Sequence, residues 1–274
     1  MSTWDDGDRP APVPITVAGW ARVLLRGGPV ILLLAVAFPV LLILRLPESV
    51  LFGNRRPLTP WITQFVSITM LWAIGLKRYV SGIPLPRGGA MVANHAAWLD
   101  IFVLNAAARV TFVSKSEVAG WPGIGWLARG TGTIFIRRAR AEAARHQGLL
   151  ESRMQAGDRL VFFPEGTSTD GQRVLSLKST LFEAFFSDGL RRHIKVQPVS
   201  IRYVAPDGAD PRFYAWWGDM DFGPSVLKIL AAPRQGAVHV IYHPALDVAE
   251  YADRKALAAA CEAAMRAGFS AAGR

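Results

Sequence analysis

The chain has 274 residues, 51% of them hydrophobic, and a formal net charge of +10; that length holds one sizeable domain plus an appendage. The apolar content is high for a soluble protein, and so basic a chain suits nucleic acid or an anionic membrane surface with phosphate-bearing substrates. No nucleic-acid module is recognisable and the arginines are not interleaved with aromatic platforms, which excludes nucleic acid as the expected partner and favours the membrane.

Residues 1–14 are acidic, then proline-rich, and are expected to be a disordered tail. They lack the basic start of a signal peptide. An amphipathic segment begins at Ile15, with Trp20, Arg22 and Arg26 suited to an interface. Gly27 to Leu44 carries no charge; as a helix it would be about 27 Å long, just enough to span a bilayer core. Pro39 lies inside it and should kink it. Arginines flank it on both sides (Arg22 and Arg26, then Arg45, Arg55 and Arg56), so charge gives no orientation. A second uncharged stretch, Pro57 to Leu76, contains Thr59, Thr63 and Gln64 and ends at Lys77-Arg78. Residues 15–78 therefore read as a helical hairpin that anchors the chain in a membrane, spanning or re-entrant. Two buried core helices are the other reading, opposed by the lack of a polar face on Gly27 to Leu44.

From residue 79 to 274 the pattern becomes α/β. Strands are expected at Ala90–Ala93, Val110–Ser114, Thr133–Ile136, Leu160–Phe163, Val196–Tyr203 and Val238–Tyr242. Helices are expected at Leu99–Ala107, Arg140–Gln155, Leu177–Ser187 and Ala249–Ala267. This alternation predicts a largely parallel or mixed sheet covered by helices, with its site at the carboxyl ends of strands. The single Cys261 excludes an internal disulfide framework, fits a reducing cytosolic face and reads as packing.

The chemistry gathers at Asn94-His95-Ala96-Ala97-Trp98-Leu99-Asp100, where a strand hands over to a helix. On one continuous helix His95 and Asp100 would point about 140° apart. With His95 on the turn and Asp100 in the first helical turn, the chain can fold back and set the carboxylate on the imidazole. Such a pair orients a base that takes a proton from a hydroxyl. A structural histidine closing a strand fits the same residue. Phe162-Phe163-Pro164-Glu165-Gly166-Thr167 stands at the end of another strand: Gly166 allows close backbone approach and Thr167 offers a hydroxyl. A buried Glu165 that ties down its own loop is the alternative there.

Four blocks in order, from Asn94 to Ser200, resemble the glycerolipid (PlsC-type) 1-acylglycerol-3-phosphate O-acyltransferase family: Asn94-His95-x4-Asp100, Gly132 to Arg138, Phe163 to Thr167, and Val196 to Val199. The leading hairpin is similar to that family's membrane anchor. The resemblance implies transfer of a fatty acyl group from acyl-CoA or acyl-carrier protein to a lysolipid hydroxyl, with His95 as general base and Asp100 as its orienting partner. No cofactor, metal or covalent enzyme intermediate is implied. The implied acceptor is 1-acylglycerol 3-phosphate, which gives phosphatidic acid. Arg138 would bind its phosphate, and Asn94, Glu165, Gly166 and Thr167 would line the acceptor site. Lys115 and Lys178 fit phosphate binding or solvated surface positions equally. The anchored enzyme is expected to present its site at the cytoplasmic face.

Two departures matter. The family's E-G-T-R reads Glu165-Gly166-Thr167-Ser168 here, with Asp170 following. Serine does not replace an arginine fork on a phosphate dianion. That admits lyso-ornithine lipid as acceptor, with its carboxylate and amine, although Arg173 offers a compensating charge. Gln197 stands where the family has valine directly before proline. A non-catalytic, basic membrane-binding module is the reading from another class; it would need neither the base pair nor the Glu-Gly-Thr turn.

Overall fold

The computed structural model describes residues 4–5, 7–10, 14–121, 123–137 and 142–272. The Thr16 hydroxyl accepts the Gly19 N–H and opens α1 (Val17–Phe52), a 36-residue helix. It is about 54 Å long and runs through Pro29, Pro39 and Pro47. Its composition and length are those of a helix able to cross a membrane. Arg22 and Arg26, expected at an interface, are bonded to the fold. Arg22 Nε donates to the Ala231 carbonyl (2.7 Å), and Arg26 Nη1 donates to those of Leu230 (2.9 Å) and Ala232 (2.6 Å). They close the carboxyl end of α6 (Phe222–Ala231), where free carbonyls attract cations.

The hairpin turn has its own lock. Glu48 is 2% exposed, and its carboxylate accepts the Leu58 N–H (2.7 Å), the Thr59 N–H (3.1 Å) and the Thr59 hydroxyl (2.6 Å). Arg45 adds a charged contact at 3.2 Å. A carboxylate thus caps the amino end of α2 (Thr59–Ile74), which has no cap of its own. One side of α2 places Met70, Leu71 and Ile74 in the main core; Trp61, Phe65 and Trp72 on its other side are exposed.

The strands are β1 (Lys77–Ser81), β2 (Gly89–Ala93), β3 (Thr111–Lys115), β4 (Ile134–Ile136), β5 (Arg159–Phe162), β6 (Lys195–Val204), β7 (Ala237–Tyr242) and β8 (Leu246–Asp247). The sheet order is β1-β7-β6-β2-β5-β3-β4, with β8 pairing β6. The pairs from β6 through β4 are parallel; β7 and β8 run against β6, and β1 follows β7. Helices α3 (Asp100–Ala107), α4 (Ile124–Thr131), α5 (Ala143–Gln155) and α7 (Arg254–Ala271) complete the set. This is the expected mixed, largely parallel α/β sheet. The six expected strands are present, while β1, β8, α4 and α6 were not foreseen. The helix expected at Leu177–Ser187 is a 3-10 helix, Ser179–Phe186.

All five residues of β2 are buried, as in a sheet covered on both faces. Met91 and Ala93 point to one core with Leu99, Leu104 and Ile201. Ala90 and Val92 point to the other with Leu160, Leu257 and Cys261. Burial pushes the Cys261 thiol up to about 12, which suits a packing role. Gln197 is spent on structure: its amide accepts the Leu85 N–H and donates to the Ile83 and His243 carbonyls. Pro198 falls between the stretches of β6 that pair β8 and β7, a gap where its missing N–H breaks no ladder bond there.

Candidate active site

His95 follows β2 and Asp100 is the first residue of α3. The turn between them wraps the carboxylate. Asp100 Oδ2 accepts from His95 Nδ1 (2.7 Å), the Ala96 N–H (2.8 Å) and the Ala97 N–H (3.1 Å). Asp100 Oδ1 accepts from the Tyr203 hydroxyl at 2.7 Å. Asp100 is 0% exposed, so these four donors replace water around a buried charge. A carboxylate acceptor puts the ring hydrogen on Nδ1 and leaves Nε2 as the basic nitrogen. Nε2 is not buried and has no partner among the described residues. Phe163 stacks on the imidazole at 4.2 Å between ring centres and fixes its plane.

The turn after β5 holds the same histidine by its backbone. Glu165 Oε2 accepts the His95 N–H at 2.6 Å and Glu165 Oε1 accepts the Leu175 N–H at 2.7 Å. The His95 carbonyl accepts the Thr169 N–H at 2.9 Å. Glu165 is 1% exposed. Burial pushes its carboxyl up to about 8, with help from the charge on Asp100 and against the two N–H bonds. Gly166 adopts φ +74°, and a Cβ there would meet the side chain of Lys178, whose Nζ lies over the turn. The Thr167 hydroxyl donates to the Ser168 carbonyl and accepts the Trp4 N–H.

Six of the expected residues therefore meet at the carboxyl ends of β2 and β5: His95, Asp100, Glu165, Gly166, Thr167 and Lys178. Asn94 lies beneath them, 1% exposed. Its amide donates to the Ile201 carbonyl (2.8 Å) and accepts the Ile201 N–H (2.7 Å), extending the β2–β6 pairing past the last ladder residue. Lys115 is exposed at the carboxyl end of β3, across β5 from β2. Arg138 lies outside the described residues; Arg137 before it is exposed and pairs with Glu142. Arg173 donates to buried Asp170 at 2.8 Å and lies over the Trp4 ring. Where it is described, the expected disordered tail thus touches this turn, and Trp4 also meets Trp217. Sequence reasoning did not find Tyr203 or the stacking role of Phe163.

A protein family described as Acyltransferase matches residues 79–202. A lyso-ornithine lipid O-acyltransferase of Rhodobacter capsulatus is 53% identical over 264 residues, 96% of each chain. The chain belongs to the acyltransferase family. A 1-acyl-sn-glycerol-3-phosphate acyltransferase of Neisseria meningitidis is 31% identical over 187 residues, 66% of this chain and 69% of that one. The crystal structure of the LPA acyltransferase PlsC from Thermotoga maritima superposes with a TM-score of 0.60 at 20% identity, over 94% of this chain and 98% of that one. It shares the fold. The arrangement offers one uncommitted ring nitrogen on a side chain that is 20% exposed, a buried carboxylate on the ring's other nitrogen, and a glycine turn beside it. The family match ends one residue before Tyr203.

Proposed function

We propose that the chain is a membrane-anchored lysolipid O-acyltransferase that uses acyl-CoA or acyl-carrier protein as donor and prefers lyso-ornithine lipid as acceptor. The observation that carries the chemistry is the His95–Asp100 pair with Nε2 uncommitted. Nε2 takes the proton of the acceptor hydroxyl as its oxygen attacks the thioester carbonyl. The tetrahedral intermediate expels the thiolate, which takes the proton back from His95. Such general-base help is worth about 10²–10⁴ in rate. The donor is already activated, so no enzyme nucleophile is needed.

Three facts support the acceptor. The 53% identical relative is named for lyso-ornithine lipid. Ser168 stands in the place of the resembled family's arginine, and Arg173 is engaged by Asp170. A phosphate acceptor is the second reading, favoured by Lys178 over the Gly166 turn and by the name of the 31% identical relative.

The membrane part has a physical argument as well. The first turns of α1 are bonded to α6, and Phe38 of α1 sits against Gly130 of α4. Its last turns hold the start of α2. A helix bonded to the domain at its beginning and packed on it again at its middle, with its end folded back through α2, enters one leaflet from one side instead of crossing. Its exposed Leu24, Leu25, Ile31 and Leu32 suit lipid tails. The single Cys261 fits a cytoplasmic location.

The test is turnover of purified protein with a labelled acyl donor on both lysolipids, for the natural chain, His95→Ala and Ser168→Arg. His95→Ala should lose at least about 10²-fold. Ser168→Arg should shift preference toward the phosphate acceptor by about tenfold or more, the worth of one charge-assisted contact. An unchanged preference would remove residue 168 from the head-group site, and a natural chain active only on the phosphate acceptor would overturn the assignment.

A further inference from the structure

The acid of the base pair has two oxygens in different situations. Oδ2 is held by the imidazole and two backbone N–H groups of its own turn. Oδ1 has one donor among the described residues, the Tyr203 hydroxyl. With Asp100 at 0% exposure, no solvent stands in for that donor. Tyr203 comes from β6, 103 positions away in sequence, and is itself 6% exposed. Its ring packs on Tyr214 at 5.4 Å. Tyr214 is pinned in turn by donating to Gln235 and accepting from the Gly236 N–H. The phenol is thus delivered to Asp100 by a rigid strand and a fixed neighbour, not by a loop.

Resting on the reading of His95 as general base, we propose that Tyr203 is a positioning residue for acyl transfer. Its hydroxyl fixes the rotation of the Asp100 carboxylate and sets how tightly that carboxylate grips the protonated imidazole. Burial and the Asp100 charge hold the Tyr203 hydroxyl well above its ordinary range, so it stays a donor at every working pH. The other titratable groups around the pair are Glu165 on the turn after β5, which Arg266 of α7 influences, Lys178 over that turn, and Tyr214 on the loop after β6. The residues that α2 and α3 give to this core, Met70, Leu71, Val103 and Leu104, carry no charge.

The sign follows from charge dispersal. A hydroxyl on Oδ1 draws negative charge away from Oδ2. Without it, Oδ2 holds the imidazolium proton more strongly, and the acid limb of the kcat–pH profile moves to higher pH. Tyr203→Phe keeps the ring and removes the donor. Its kcat should fall about tenfold with both KM values within about twofold, and its acid limb should rise by about half a pH unit. A 3-fluorotyrosine at position 203 is a stronger donor and should move the limb down.

His95→Ala is measured beside them. If it keeps its turnover, the base assignment falls, and this proposal falls with it. If His95→Ala is inactive while folded Tyr203→Phe keeps the natural kcat and acid limb, the base stands and the positioning role is overturned. Should Tyr203→Phe fail to fold, the fluorotyrosine protein decides alone: a lowered limb supports the role and an unmoved limb overturns it.

Discussion

Glu165 offers a sharp test of how the site is held, because its environment works against its charge. Its carboxyl is pushed from the ordinary 4.5 up to about 8. That gap corresponds to about 5 kcal/mol when fully expressed. Below about pH 4.5 the group is protonated in both the folded and unfolded chain, and nothing is lost. Above that, the unfolded chain releases the proton and the folded chain keeps it. Stability therefore falls with rising pH, by about 3 kcal/mol at pH 7 and more by pH 8. Glu165→Gln has no proton to release and lacks this slope. It carries a fixed cost instead, because the amide nitrogen cannot accept from His95 or Leu175, and one buried N–H loses its partner. That cost is about 1–3 kcal/mol. The natural protein should then be the more stable at pH 5, the two should cross near pH 6, and the variant should be the more stable at pH 8. Thermal midpoints in one detergent at pH 5, 6, 7 and 8 would show the order reversing, with a swing of about 10 °C. A difference that stays constant across that range would mean that Glu165 does not titrate there, and the burial argument would fail.

The N-terminal hairpin supports two further predictions. Glu48→Ala leaves the Leu58 and Thr59 N–H groups without their acceptor, and unfolding measurements should show a loss of about 2–3 kcal/mol. If α1 enters and leaves one leaflet, Ala18→Cys and Val50→Cys should both react with a membrane-impermeant thiol reagent from the same side of sealed vesicles. Labelling from opposite sides would establish a crossing.

The contact between His95 and Asp100 was legible because its geometry is local. Asp100 at the first position of a helix after a buried strand folds back onto His95 through contacts with Ala96 and Ala97, all within one turn. The strands were legible for the same reason: both faces of β2 and β6 are buried, so the apolar runs are nearly continuous. The losses came where meaning depends on a distant partner. The partners of Arg22 and Arg26 cannot be read from their own segment: α6 and the residue after it, over 200 positions later, bring three carbonyls to them. Tyr203 reads as one more β-strand aromatic, and its hydroxyl partner is 103 positions back. β1 is largely exposed, so no apolar run marks it. Glycines interrupt α4, and α6 begins with Phe222-Gly223-Pro224, which weakens the helical pattern of each. The reading of Glu165 as a loop tie was the bland one at the sequence level, and the two N–H bonds of its carboxylate fit it.

Those bonds also make the histidine a shared part. The His95 N–H is held by Glu165 and its carbonyl by Thr169, so the backbone of the proposed base is clamped at both ends by the block expected to face the acceptor. Any shift in that block drags the imidazole with it. Substitutions of Glu165, or ones that move the Thr169 backbone, should therefore change turnover and acceptor affinity together. A lineage that adapts to a new head group pays in speed when it edits those two points. Tolerated changes of taste should accumulate instead at positions with no bond to His95, such as Ser168 and Lys178, and leave the clamp itself alone.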